Sequence, residues 1–176
     1  GHVDICYKGR IISFGNYDTN SERLFGAMGD GVLFSADREK YIEFCKRENH
    51  KTLLGYGLAL SPEQLAAVDK EIAKLMSLTV PWDPPQMVKP KRPGIDKEEP
   101  MYAYKLKQEA DGRLYKFTSS KFKTYFVMST NCVLLADTIV GAAGTDILSV
   151  RGFISPGTYQ DYLDKEFERP HSLVVT

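Results

Sequence analysis

Between Cys132 and Gly141 the chain reads Cys-Val-Leu-Leu-Ala-Asp-Thr-Ile-Val-Gly, and only Asp137 and Thr138 in that core stretch are polar. Cys132, Leu135, Ala136, Ile139 and Val140 keep helical spacing. A helix that is apolar almost all round must be buried. Ser129 or Thr130 is the expected cap at its start, and Gly141 is a natural stop. With 176 residues the chain is long enough to bury such a helix inside one domain of ordinary size. The expected product is a single α+β domain over 1–176, with an antiparallel sheet packed on this helix.

The remaining patterns fill in that domain. His2 to Tyr7 and Arg10 to Phe14 are β-branched and aromatic runs around Lys8-Gly9, which predicts a hairpin. Asp37 to Glu48 reads as a helix that buries Tyr41, Phe44 and Cys45 on one side. Ser61-Pro62-Glu63-Gln64 is an N-cap, a proline at the first helical position and a capping-box Gln, and Leu65, Val68, Ile72, Leu75 and Met76 follow at helical spacing. Six of the nine prolines fall between Pro81 and Pro100, so 79–100 is expected to be an extended loop. Met101 to Lys107 and Arg113 to Thr118 read as two strands of a second hairpin. Ser155-Pro156 opens a last helix carrying Tyr159, Tyr162, Leu163 and Phe167.

Lys plus Arg and Asp plus Glu each number 23, so the formal net charge is zero. No global field draws in a polyanion, and a nucleic-acid partner is not expected. No apolar run approaches the roughly 20 residues that span a bilayer. The cysteines Cys6, Cys45 and Cys132 form no C-x-x-C pair, which argues against a structural zinc knuckle or a thioredoxin-like motif. No cofactor is implied. His2, Asp4 and Cys6 alternate along one strand, but three ligands on one flat strand make a poor tetrahedron, so no metal site is expected there.

Cys132 is the residue with the most chemistry. At a helix start, the dipole and free backbone N–H groups favour the thiolate and can stabilise an oxyanion. A nucleophilic cysteine needs a base, and there are three histidines. His50 ends a charged helix and His171 follows Pro170, both expected at the surface, whereas His2 opens an apolar strand, a rigid support for a catalytic group. Elimination pairs His2 with Cys132. Asn131, directly before the nucleophile, is the candidate for oxyanion or helix support. Trp82, the only tryptophan, and Tyr17 in the loop after the first hairpin are the candidate substrate contacts.

Lys105, Lys107, Arg113, Lys116, Lys121 and Lys123 outnumber Glu109 and Asp111 between Met101 and Tyr125, with Tyr102, Tyr104, Tyr115, Phe117, Phe122 and Tyr125 interleaved. Such a face could stack on a polyanion, but the expected reading is a sheet with one buried aromatic face and one solvated lysine face.

Gly1-His2-Val3-Asp4-Ile5 before a glycine turn and a second strand, followed far downstream by Thr130-Asn131-Cys132 on an apolar helix, resembles the circularly permuted NlpC-type superfamily. These are papain-like cysteine peptidases, amidases and acyltransferases in which the histidine strand precedes the cysteine helix. Ile154-Ser155-Pro156-Gly157-Thr158-Tyr159 is similar to the segment after the catalytic helix in bacterial members. The resemblance implies a papain-like fold with Cys132 as nucleophile and His2 as base. It also implies a polar third residue on the next strand, where Ser13 falls nearest with Asn16 and Asp18 just beyond. Asp4, on the same strand face as His2, is the other candidate for orienting the imidazole. The implied work is cleavage of an amide bond, with bacterial peptidoglycan stem peptides as substrate. The implied setting is a secreted antibacterial effector delivered to the periplasm, with an immunity protein as partner. Members acting on lipid esters or amides, and a non-catalytic adaptor that keeps the fold, are the alternatives.

Overall fold

The computed structural model describes residues 1–49, 52–91, 94, 99–144, 155–170 and 174–175. The N-terminal hairpin forms as its sequence implies. Strands β1 (Ile5–Tyr7) and β2 (Arg10–Gly15) join through Lys8 and Gly9, whose φ values of 49° and 75° are the two successive left-handed residues of a two-residue hairpin loop. Then come β3 (Met28–Asp30), β4 (Val32–Asp37), helix α1 (Arg38–Asn49), the short β5 (Gly57–Leu58) and α2 (Pro62–Ser77). They are followed by β6 (Thr79–Pro81), α3 (Tyr102–Glu109), β7 (Arg113–Phe117) and β8 (Thr124–Phe126), and finally α4 (Cys132–Gly141), α5 (Pro156–Phe167) and β9 (Val174–Val175).

The main sheet has the order β1-β2-β4-β7-β6, with every neighbouring pair antiparallel. β3 pairs with β8 and β5 with β9 in two-stranded ribbons. The domain is α+β, as the sequence implies, but its sheet is covered on both faces. Ile11, Val32, Phe34, Ala36 and Leu114 point to one face and meet Tyr41 and Phe44 of α1 and Ala103 and Leu106 of α3. Phe14, Leu33 and Phe117 point to the other, under Val68 and Leu75 of α2 and Leu135 and Ile139 of α4. Each such fully buried side chain contributes about 1.5–3 kcal/mol.

Covering both faces explains what the sequence patterns hid. Strand β4, the middle of the sheet, has no alternation in Val32-Leu33-Phe34, because a strand buried on both sides needs none. The expected second hairpin is replaced by α3 and β7. Tyr-Ala-Tyr-Lys-Leu-Lys fits a period of two over six residues, yet Ala103, Leu106 and Ala110 fall at i, i+3 and i+7 and are all fully buried. Asp111, read as hairpin turn, instead takes the left-handed φ of 50° just past the end of that helix. The long loop begins later than expected, because Thr79–Pro81 pairs with β7 as an edge strand.

Helix α2 has the full capping box, with Ser61 accepting from the Gln64 backbone and Gln64 returning to Ser61. Leu65 departs from its expected buried face and is exposed. Helix α4 is capped by Asn131, not by Ser129 or Thr130, and it includes Gly141. His50 and His171, both expected at the surface, lie outside the described residues, as does Ile154.

The short link between β3 and β4 leaves no room for a side chain. A Cβ on Gly31 would lie 1.7 Å from the Phe122 carbonyl oxygen, and Gly31 is pinned by its N–H to the Lys123 carbonyl and its carbonyl to the Phe117 N–H. We expect Gly31→Ala to cost about 2 kcal/mol or more, read as a lower urea midpoint at unchanged slope.

Candidate active site

The chain leaves the sheet ladder just before β1. His2 was expected inside the strand, but β1 starts at Ile5, and the segment His2–Asp4 runs on past the sheet edge. Alternation along this extended arm divides its side chains. Val3 packs with Cys132, Val133 and Tyr159 beside the helix start, while His2 and Asp4 turn toward Ser13 on β2. The N-terminal arm therefore bridges the two layers, with the nucleophile candidate on one side and polar supports on the other.

His2 Nε2 lies 2.7 Å from Ser13 Oγ, 2.8 Å from Asp4 Oδ1 and 3.3 Å from the Tyr17 hydroxyl. The contact with Asp4 Oδ1 is charge pairing more than an aligned hydrogen bond, since no donor points squarely at that oxygen. The other carboxylate oxygen accepts from the Tyr41 hydroxyl at 2.8 Å, and the Ser13 and Tyr17 hydroxyls are 2.6 Å apart. The His2 imidazole and the Val3 backbone N–H lie close enough to the Cys132 thiol to act on its ionisation. The structure thus brings together Cys132, His2, Ser13, Asp4 and Tyr17 from the sequence candidates, with Asp4 at contact distance of the imidazole, and it adds Tyr41 behind Asp4. Tyr41 reads from sequence as a helix-core residue, and nothing local marks its hydroxyl as the partner of a carboxylate 37 positions away.

Burial works against a charged imidazole here, but the Asp4 carboxylate outweighs it, with a further part from Cys132, and His2 is pushed up to about 10. Burial also works against the Cys132 thiolate. The hydrogen bond and charge of His2, with the Val3 N–H, outweigh it and hold the thiol below its ordinary value, although Asp4 opposes. Asp4 is lowered in spite of burial, chiefly by the His2 charge, with the nearby His2, Ser13 and Tyr41 donors adding to it. Burial raises both Tyr17 and Tyr41, so these phenols keep their protons, Tyr41 donating to the carboxylate and Tyr17 sharing hydrogen bonds with Ser13 and His2. The three shifts favour the same combination of thiolate, imidazolium and carboxylate. His2 keeps 37% of its side chain exposed, whereas Cys132 keeps 3% of its surface, so the imidazole faces solvent and the sulfur is recessed behind it.

The remaining candidates fall elsewhere. Asn131 uses its amide locally, accepting from the Leu134 N–H and donating to the Val127 carbonyl; it supports the helix start. Asn16 reaches over Gly29 toward the Met28 carbonyl, and Asp18 pairs with Lys116, so neither takes the third place beside His2. Trp82 does not join the site. Its N–H bonds the Leu114 carbonyl at the opposite sheet edge, three strands and roughly 14 Å from Ser13. Its ring packs on the α1–α3 core and under Lys116. Tyr17 stands behind the histidine, stacked on Tyr102, where it positions the site.

The basic aromatic stretch does not make one face. Lys105 pairs with Glu48, Lys107 with Asp83, and Lys116 with Asp18 and Asp30. Cys6 is exposed, and among the described residues no three His, Cys, Asp or Glu side chains come together as a metal site. Among the described residues no helix is long and apolar enough to cross a membrane. The two loops nearest the helix start are apolar at their tips. Leu24 and Phe25 are 63% and 111% exposed in left-handed backbone, and Val127 and Met128 are exposed beside them, joined by the Val127 N–H to the Ala27 carbonyl.

Two measurements check this electrostatic account. At pH 6, iodoacetamide should label recessed Cys132 ahead of exposed Cys6, since a free thiol of pKa ~8.5 is almost wholly protonated there. His2→Gln should remove that preference. For stability, His2 is raised from 6.5 to about 10, so its contribution is complete below pH 6.5 and is lost as pH rises toward 10. The stability gap between the wild type and His2→Gln in urea should shrink over that window. The chain matches no protein-family model, and no curated protein and no solved structure matches it significantly.

Proposed function

We propose that the protein is a cysteine hydrolase that cleaves an amide bond through a thioester on Cys132, in a papain-like domain of the permuted NlpC type. One observation carries this reading: Cys132 heads a buried helix beside an imidazole that Asp4, 2.8 Å away, holds in its charged form. A structural cysteine gains nothing from such a partner, while a nucleophile needs it.

The steps follow from these groups. With Nε2 held by Asp4 and Ser13, Nδ1 is the ring nitrogen left for the thiol. The Cys132 thiolate attacks the carbonyl carbon and pushes its electron pair onto oxygen. The Cys132 N–H, a first-turn donor with no intrahelical acceptor, faces that developing oxyanion. Collapse breaks the C–N bond as the imidazolium gives its proton to the leaving amine. The now neutral His2 takes a proton from water, the hydroxide attacks the thioester, and the acid departs as the thiolate and imidazolium are restored. Asp4, Ser13, Tyr17 and Tyr41 position the ring and stabilise its charge throughout.

The resemblance at the two ends of the sequence supports peptidoglycan stem peptides as the substrate. With it go delivery to the bacterial periplasm as a secreted effector and an immunity protein as partner. A second reading, hydrolysis or transfer of a lipid acyl group, is favoured by one feature: the exposed Leu24, Phe25, Val127 and Met128 beside the helix start.

Purified sacculi distinguish these readings. We expect new amino groups and shorter muropeptides, and none with Cys132→Ala. Asp4→Asn should lower kcat about 100-fold or more with little change in KM. It should also move the alkaline limb of the pH–rate profile to lower pH, because the imidazolium loses the charge that holds its proton. Turnover of long-chain acyl esters but not of sacculi, reduced by Phe25→Ser, would favour the lipid reading. A folded protein with neither activity would leave it a non-catalytic adaptor.

A further inference from the structure

On the sheet face covered by α2 and α4, the register aligns Ile12, Ser35 and Arg113 in one row, with Arg10 on the same face nearer the β1–β2 turn. Two arginines therefore point toward the apolar side of a helix, where packing alone would place aliphatic residues. The helix stands off the sheet at this end and leaves a cleft of about 290 Å³. Its walls are Ile12 and Leu33 from the sheet, Ile72 and Met76 from α2, and Ile139 from α4. Ordinary cores leave few voids larger than a water molecule, and this volume is close to the lower end of the ~300–1,000 Å³ range of small-molecule sites.

The charges at its mouth are unequal. Lys8 is paired with Asp69 of α2, and the Tyr7 hydroxyl joins the same carboxylate, so this side is strapped shut. Arg10 is held by Asp111 and by Ser35 Oγ. Arg113 also lines the cleft, and among the described residues it has neither an ion-pair nor a hydrogen-bond partner. An apolar cleft with one uncommitted guanidinium at its open side is complementary to a single negative charge on an apolar body.

We propose that this cleft binds an amphipathic monoanion, an alkyl chain of medium length ending in a carboxylate. The chain lies between Ile72 and Met76 on one side and Ile12 and Leu33 on the other, and the carboxylate meets the Arg113 guanidinium in a two-point contact. The site is separate from the proposed active site. Ile139 is seven residues, roughly 10 Å along α4, from Cys132, and buried Leu135 and Phe14 fill the space between. The proposal does not rest on catalysis by Cys132 and goes beyond that reading.

Titration of the full chain with decanoate, followed on labelled isoleucine methyl groups, tests it. We expect saturable binding that shifts Ile12, Ile72 and Ile139 while Ile11, on the opposite face, stays in place. Arg113→Gln should weaken decanoate about tenfold or more, and decanol should bind the wild type no better than decanoate binds that variant. Arg113 is exposed, so the variant should keep the wild-type urea midpoint. Binding without saturation, shifts that bypass the three lining isoleucines, or an affinity that Arg113→Gln changes less than twofold would each overturn the proposal.

Discussion

Burying α4 is the constraint on which the rest of this structure depends. The helix has apolar residues nearly all round, and it is covered by the sheet through Phe14 and Leu33, by α2, and by the cluster of Val3, Tyr159 and Val174. A helix enclosed this way has only its ends free to meet solvent-facing groups. Its first residue is Cys132, and the sheet edge beside that end is where the N-terminal arm passes. The same packing that hides the helix thus delivers a thiol to a polar strand end.

The arm then performs the selection. Because an extended chain alternates its side chains, Val3 enters the apolar cluster while His2 and Asp4 go to the hydroxyl-lined side. Had β1 begun at His2, ladder pairing would have fixed the imidazole on one sheet face. Ending the strand at Ile5 leaves the arm at the edge, where its backbone N–H at Val3 and its imidazole both reach the sulfur. Neighbours i and i+2 on a strand usually stand parallel without pairing. His2 and Asp4 pair here because Ser13, Tyr17 and Tyr41 hold them in place, with Ser13 on the imidazole and Tyr41 on the carboxylate.

Charge balance in the rest of the molecule is local. Lys116 holds the Asp18 loop and β3 together through two carboxylates, which steadies the turn carrying Tyr17. Lys105 and Arg47 tie α1 to α3 through Glu48 and Glu109. Many of the charges are therefore held in pairs that join elements, and Arg113 is the arginine left without one among the described residues.

By itself the sequence determined the first hairpin, the capped helix α2, the buried helix with Cys132 at its head and the helix opened by Ser155-Pro156. Each depends on neighbours within a few positions: a two-residue turn, a capping box, an apolar stretch at 3.6-residue spacing. Cys132 and His2 were legible as candidates for the same reason, from their places on those elements, and Ser13 only through the resemblance to the permuted family. Tertiary structure decided everything that depends on which faces are covered. Burial on two sides erased the alternation that would have marked β4, and it turned the Tyr-Lys stretch after Met101 into a helix. It carried Trp82 to the far edge of the sheet, and it chose Asp4, with Tyr41 behind it, to hold the histidine. A carboxylate two residues from a histidine usually stands parallel to it; only hydroxyls brought in from β2 and α1 position the two side chains to pair.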